Sequence, residues 1–350
     1  MPSPEPAVAA ALREHAEDLL TRRSLERAWT AFHHAEAVGA DPDRCSAGRW
    51  ETAMLLGDLE SAWRENDVIR RRGSPDPHRF WLQQRIDGKR VIVRCLHGFG
   101  DAVQMLRYAP QLRERAAEVI FEVPPRFVPL ARCFRGVENV ITWGDDTPRP
   151  APAWDVQVEV LELPYLFRTT PAHLPLETHY LALPPEIIAS TAQRMGRRER
   201  PRVGIVWASG EWNPGRNVPL SLLESLLATP GIEFWNLQGG PAAAEADGLP
   251  LRSTQDLRDG LLPLAATIAN LDLVLTADTL AAHLAGALGI PSWVMLQHAA
   301  DWRWMHARDN SPWYPSLRLF RQPAPGDWAS VIHRLAHELS SFAPQAHAAA

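Results

Sequence analysis

Apolar positions follow a three-and-four rhythm through roughly the first seventy residues of this chain, then give way to short solid runs alternating with helical stretches. The early part repeats itself. Leu25, Glu26, Ala28, Trp29 and Gly39 recur as Leu59, Glu60, Ala62, Trp63 and Gly73, each 34 residues later, and Glu17 recurs as Glu51. In each copy the Leu, Ala and Trp share one helix face, and a turn follows: Gly39-Ala40-Asp41-Pro42, then Gly73-Ser74-Pro75. That period is the one of tetratricopeptide-like helix pairs. Two copies are fewer than such an array needs to stand alone, so the pair is expected to pack against the rest of the chain. A generic helical bundle fits the same spacing. Asp41-Pro42-Asp43 falls in the turn between copies, where helix capping is expected rather than metal binding.

Beyond Lys89 the texture becomes α/β. The pattern predicts a strand at 90–96, a helix at 102–115, a strand at 118–123, a helix at 127–133 and a strand at 139–142. Residues 148–185 are rich in Pro, and loops with one or two short strands are expected there. After the basic stretch 197–202 the alternation resumes with a strand at 203–207, a polar loop at 208–217, a helix at 220–227 and a strand at 232–237. A Gly/Ala/Pro-rich loop, a helix at 261–270, a strand and helix within 271–291, and a strand at 292–296 follow. A Trp-rich loop and an amphipathic helix at 328–339 close the chain. Strands alternating with helices imply parallel, doubly wound sheets. The expected fold class is therefore α/β: two Rossmann-like domains, at 78–185 and 200–345, preceded by an all-α repeat unit at 1–77.

Residues 271–291 are the most informative stretch. Leu271, Leu273, Val274 and Leu275 form a buried strand that runs into Asp278-Thr279, two cap residues, and then into a helix with the apolar stripe Leu280, Leu284, Ala287 and Leu288. Gly289 closes that helix and Pro291 prevents its continuation. The order puts helix N–H groups and a positive dipole end at the carboxyl edge of a parallel sheet, a place for an anionic ligand such as a diphosphate. His283 shares a helix face with Thr279, and both a ligand contact and plain packing suit it. In the first α/β half, His97-Gly98-Phe99-Gly100-Asp101 is a glycine-rich loop at a helix mouth. Gly98 and Gly100 let the backbone approach a ligand, and Asp101 could cap the helix or work in the site. With two such halves facing each other, Asp101 and Asp278 are expected to meet across a cleft.

Composition mainly excludes. The chain has 350 residues, 46% of them hydrophobic and 22% charged, with a formal net charge of -5, against the basic footprint of a nucleic-acid binder. No run of eighteen apolar residues marks a transmembrane segment, and the start lacks a secretory pattern, so a cytoplasmic location is expected. Cys45, Cys95 and Cys133 are odd in number and widely spaced, as reduced structural thiols would be. The clusters Arg70-Arg71-Arg72 and 197–202 are expected on solvated boundaries. The 14 Trp residues are expected mostly in cores and domain contacts.

Several motifs together resemble the family 9, heptosyltransferase-like glycosyltransferases, and more closely bacterial proteins that join tetratricopeptide repeats to such a domain. They are Leu96-His97-Gly98-Phe99-Gly100-Asp101, Arg216-Asn217-Val218-Pro219-Leu220, Leu237-Gln238 at a strand end, and Asp278-Thr279-Leu280-Ala281-Ala282-His283-Leu284-Ala285. The tail, from Asp301-Trp302-Arg303-Trp304 through Ser311-Pro312-Trp313-Tyr314-Pro315 to Phe320-Arg321-Gln322, adds to the likeness. The resemblance covers residues 88–340, with its helical extension at 10–73.

It implies a GT-B fold and transfer of a sugar from a nucleotide sugar to a glycan or protein acceptor, with inversion and with neither metal nor cofactor. The residues make that chemistry plausible. Arg216 and the amides at 278–281 suit a departing diphosphate, Asp101 suits the base for the acceptor hydroxyl, and Thr279 and His283 suit the phosphates or ribose. Gln238 is placed for the nucleobase or ribose, or for capping its own loop; Arg216 could equally be a solvated loop charge. Asn217 departs from the family's Ser, and the loop 209–215 departs from its His- and Asp-bearing stretch. Leu280 stands where many members have a small residue, and a bulky side chain there narrows a donor pocket. The helical repeats could recruit a protein partner. Two other functions suit the same architecture: a silent nucleotide-sugar-binding scaffold and a sugar-nucleotide epimerase. Nicotinamide chemistry is disfavoured, because Gln104 falls where the third Gly of a dinucleotide fingerprint would stand.

Overall fold

The computed structural model describes residues 5–73, 79–143, 153–176, 179–210, 213–254 and 260–342. Ser74 and Pro75 of the second repeat turn, Glu211 and Trp212 of the polar loop, and the end of the last expected domain lie outside these residues. The chain divides into two compact units. One comprises Met1–Gln84, Glu162–Pro175 and Ala299–Arg308; the other comprises Arg85–Leu161, Leu176–His298 and Asp309–Ala350.

The first unit is built on four helices, α1 (Ala7–Thr21), α2 (Leu25–Ala37), α3 (Pro42–Leu56) and α4 (Leu59–Arg72), each packed on the next. The repeat seen in the sequence is a repeat of position: Leu25 and Leu59 each open a helix, and Ala28 and Ala62 are fully buried. Phe32, Ala35, Cys45 and Leu55 share one core with Leu25. Each large side chain removed from water there contributes about 1.5–3 kcal/mol. Gly48 is the only residue size the Phe32 ring tolerates, since a Cβ would lie 2.1 Å from it. Asp41 caps α3, its Oδ1 accepting the N–H groups of Asp43 and Arg44 at 2.9 and 3.0 Å.

Two later stretches complete this unit. Arg23 donates to the Ala300 carbonyl at 2.7 Å, the His306 N–H to that of Leu55 at 2.8 Å, and Trp302 meets Trp50 edge to face. The stretch containing the short helix α5 (Leu163–Leu166) is held by the Trp63 indole, which donates to the Thr169 carbonyl at 2.6 Å, and by Asp67, which pairs with Arg168 at 2.7 Å and accepts the Tyr165 hydroxyl. Desolvation works against the Asp67 carboxylate, but the hydrogen bonds from Arg168 and Tyr165 outweigh it and hold its pKa below the ordinary 3.8. A depressed carboxylate pKa adds stability that is full above the unfolded value and is lost as pH falls through the folded one. Asp67→Asn should therefore lower the melting temperature above about pH 4 and flatten its fall at more acidic pH, as thermal melts over pH 2.5–7 would show.

The second unit holds two parallel sheets. Strands β1 (Arg90–Arg94), β2 (Glu118–Val123), β3 (Asn139–Thr142) and β4 (Val156–Glu159) lie in the order β3-β2-β1-β4. Strands β5 (Arg202–Val206), β6 (Glu233–Asn236), β7 (Arg252–Ser253), β8 (Leu273–Ala277), β9 (Ser292–Leu296) and β10 (Leu317–Arg321) lie in the order β10-β9-β8-β5-β6-β7. All ladders are parallel, with Ile92 opposite Ile120 in the first sheet and Ile205 opposite Leu275 in the second. Strands β5, β8 and β9 are buried throughout, which is why they read as solid apolar runs. One face of the second sheet packs Val203, Ile205, Leu273 and Leu275 against Leu223 of α6 (Leu220–Leu227) and Val331 and Leu335 of α7 (Trp328–Ser340).

The remaining helices of this unit are α8 (Phe99–Met105), α9 (Ala109–Arg115), α10 (Val128–Ala131), α11 (Pro185–Met195), α12 (Leu261–Ala269) and α13 (Leu280–Leu288). The helix expected at 102–115 starts earlier and is broken. A tight turn at Leu106–Tyr108 separates α8 from α9, because Pro110 lacks an N–H and its ring excludes the carbonyl one turn back. Helix α11 was not expected; its buried residues are Thr191 and Met195. Strand β10 was hidden within the Trp-rich tail. Arg202 departs from its expected solvated place, being 2% exposed and donating to the Met195 and Gly196 carbonyls.

In each sheet the winding reverses once, between β1 and β4 and between β5 and β8. Loops leaving adjacent strands part to opposite sides at such a point, leaving a crevice at the carboxyl ends.

Candidate active site

Both reversal points carry a pair of complementary side chains. At the second, Arg216 comes from the loop after β5 and Asp278 from the end of β8. Arg216 Nε lies 3.4 Å from Asp278 Oδ2, and the two side chains are 12% and 8% exposed. Arg216 Nη1 also reaches the Asp278 carbonyl, at 3.5 Å. A guanidinium has five N–H donors in a planar fork, so it can meet phosphate oxygens without surrendering this pair.

Thr279 is the N-cap of α13. Its Oγ1 accepts the Ala281 N–H at 3.3 Å and lies 2.9 Å from Thr276 Oγ1. Capping thus falls to Thr279, and Asp278, expected to share that task, has its carboxylate beside Arg216. Leu280 is the first residue of the helix and is partly exposed. At the other end Gly289, with φ at 73°, takes the left-handed C-cap conformation that precedes Pro291.

The loop before α6 is tied down by amides. Gln238 Oε1 accepts the N–H groups of Trp207 and Ala208 at 3.0 and 2.9 Å, and its Nε2 donates to the Ala208 and Gly239 carbonyls. Of the two roles open to Gln238, the loop-capping one is what these bonds describe. Asn217 Oδ1 accepts the Ser209 N–H at 2.8 Å, which closes the loop that carries Arg216.

At the first reversal point, β1 leads into the glycine-rich loop. Gly98 is the N-cap of α8, and Asp101, in the first turn, accepts the Gly98 N–H on Oδ2 at 3.0 Å. Phe99 stacks on Phe127. His97 Nδ1 lies 2.9 Å from Oε1 of Glu159, the last residue of β4. Burial raises the Glu159 pKa above the ordinary carboxylate value, opposed by His97 and by the Leu161 and Leu96 N–H groups. Trp143, just past β3, donates to the Cys95 carbonyl and stays 38% exposed at the same sheet edge. The Cys95 thiol is pushed far up by burial, which leaves it inert.

The two halves touch through the first turns of α8 and α13. A Cβ on Gly100 would lie 2.8 Å from His283 Cδ2. His283 is 5% exposed, with Nδ1 3.0 Å from the Tyr314 hydroxyl, so its ring cannot swing aside. Gly100→Ala should therefore cost about 1–3 kcal/mol by denaturant unfolding. Gly98→Ala should cost less, because its φ is -63° and its Cβ would meet only Asp101 Oδ2, at 3.2 Å.

Arg107 braces this junction. It is 4% exposed, donating to the Trp313 carbonyl at 2.6 Å and to the Tyr180 hydroxyl at 3.2 Å, with its guanidinium 4.6 Å from the Tyr314 ring centre. Tyr180 in turn donates to the Val103 carbonyl. Burial keeps the Tyr314 hydroxyl protonated far above its ordinary pKa. Neither Arg107 nor the His97–Glu159 pair was singled out from the sequence.

No protein-family model matches the chain. Among solved structures it is similar to a family 9 glycosyl transferase from Veillonella parvula, with a TM-score of 0.51 and 13% identity over 75% of this chain and 92% of that one. It is equally similar to the ADP-heptose lipopolysaccharide heptosyltransferase II of E. coli, with a TM-score of 0.51 and 15% identity over 71% of this chain and 97% of that one. The fold is GT-B-like. Among curated proteins it is similar to Protein FlbA of Caulobacter vibrioides, 30% identical in an alignment of 325 positions that covers 83% of this chain. The chain spans about half, 54%, of that protein's length. Among the described residues, no helix is long and apolar enough to cross a membrane.

Proposed function

We propose that this protein is a glycosyltransferase that moves a sugar from a nucleotide sugar to an acceptor hydroxyl in one inverting displacement, without a bound metal. The observation that carries this is the Arg216–Asp278 pair beside the capped N-terminus of α13 at the β5/β8 reversal point. Displacement at the anomeric carbon leaves negative charge on a diphosphate, and preorganised N–H donors and a guanidinium stabilise charge that develops there. Thr279 and the Leu280 amide face the phosphates in this scheme, the Leu280 side chain limits the room for the donor sugar, and His283 fixes the α13 turn against Gly100. Asn217 and Gln238 hold the loops. The acceptor approaches the loop 97–101, where the sequence singled out Asp101 as the base. Adenosine diphosphate sugars head the list of donors, because the E. coli structural neighbour bears ADP-heptose in its name.

The test is to incubate the protein with ADP-, UDP-, GDP- and dTDP-sugars and follow nucleoside diphosphate release alongside thermal stability. One donor should raise the melting temperature with concentration, corresponding to about 2.7 kcal/mol at a hundredfold excess over Kd, and should be turned over. A donor isomerised without any release would identify an epimerase instead. Binding without turnover, with any acceptor offered, would identify a silent nucleotide-sugar scaffold.

A further inference from the structure

The β1/β4 reversal point holds the other crevice of the fold, and its side chains have acid–base chemistry. His97 and Glu159 are 62 residues apart in sequence and meet there at 2.9 Å. Glu159 is 1% exposed, and its second oxygen accepts the Leu161 N–H at 2.6 Å. The carboxylate is thus anchored by its own strand end, whereas about a third of the His97 side chain, 34%, stays exposed. An imidazole oriented through Nδ1 by a buried carboxylate has a defined tautomer and presents Nε2 as the basic atom. Asp101 differs. Its Oδ2 accepts the Gly98 N–H at 3.0 Å and so closes its own loop.

Resting on the transferase function proposed above, we propose that His97, held by Glu159, is the general base that takes the acceptor's proton, and that Asp101 shapes the loop. The acceptor oxygen bonds to the anomeric carbon as its proton passes to His97 Nε2. The bond from that carbon to the diphosphate oxygen breaks, and its electron pair leaves with the nucleoside diphosphate beside Arg216. Glu159, itself 1% exposed, then faces an imidazolium of opposite charge. The proton returns to water after the products leave.

The experiment uses the full chain, the nucleotide sugar it turns over fastest, and nucleoside diphosphate release. His97→Ala is expected to cut the rate about 10²-fold or more, with nucleoside diphosphate binding retained and with added imidazole restoring part of the rate. His97→Gln, which keeps a hydrogen-bonding group beside Glu159, takes its place if the alanine variant does not fold; the loss is then expected without rescue. Asp101→Asn still offers an oxygen to the Gly98 N–H and should lose roughly tenfold less than either His97 variant. A larger loss in Asp101→Asn than in a folded His97 variant overturns the proposal, as does a His97→Ala protein that binds the diphosphate yet gains nothing from imidazole. If the wild-type chain neither binds a nucleoside diphosphate nor releases one from any donor, the transferase function fails and the base assignment falls with it.

Discussion

Arg216→Ala should lower the rate of nucleoside diphosphate release by about 10²–10³-fold, the 2.7–4 kcal/mol that a single preorganised donor to a developing oxyanion supplies. The loss should fall mainly on kcat, because charge on the bridging oxygen is larger in the transition state than in the bound donor. Arg216→Lys should lie between the two. An ammonium keeps the charge but not the planar fork that meets two phosphate oxygens at once. The lysine variant also guards against a trivial explanation: Asp278 is 8% exposed, and removing the cation 3.4 Å away leaves a mostly buried carboxylate that can unsettle the start of α13. Steady-state kinetics of the three proteins on one donor, each checked by its melting curve, measure the effect.

The largest effect on stability should come from Arg107→Ala, on the order of 3–5 kcal/mol. Truncation opens a cavity among Tyr180, Trp313 and Tyr314 and removes the donor to the Trp313 carbonyl. In a unit of this size each kcal/mol shifts the melting temperature by about 2–4 °C, so the fall should be about 10 °C. Arg107→Met should recover much of it, because the thioether refills the space and no charge need be stripped of water. If alanine and methionine were equally damaging, the bond to Trp313 rather than packing would be the main contribution. Calorimetric melts of the three proteins decide this.

What could be read from the sequence was local. The strand, the Thr279 cap, the apolar stripe of α13 and the Gly289–Pro291 stop all lie within one continuous stretch, each signalled by residues next to it in the chain. The glycine-rich loop was legible for the same reason. Helix α11 was missed although Ile187, Ile188, Ala192 and Met195 share one side of it, because it is wedged between a Pro-rich stretch and the basic run at 197–202. Strand β10 was missed because Leu317, Leu319 and Phe320 sit in a tail whose Trp content masks their pattern. Arg107 looked like any arginine on an amphipathic helix, since the three rings around it come from residues 180, 313 and 314 and converge only in the folded chain. His97 stood inside a motif that drew attention to its glycines and Asp101. Its partner Glu159 ends a short strand within a Pro-rich stretch, and only the strand order β3-β2-β1-β4 shows that the two must meet.

The same strand orders give each half its own pair of facing side chains. Each sheet reverses once, and each reversal brings together one pair of side chains, guanidinium and carboxylate in one sheet, imidazole and carboxylate in the other. In the proposed transferase the β5/β8 reversal binds the diphosphate of a nucleotide sugar. Calorimetric titration of ADP, UDP, GDP and dTDP into the wild-type and Arg216→Lys proteins tests it most directly. At least one diphosphate should bind the wild type, and its affinity should fall in the variant by roughly 10-fold, or 1.4 kcal/mol. Failure of all four to bind, or equal affinity in the two folded proteins, would contradict it.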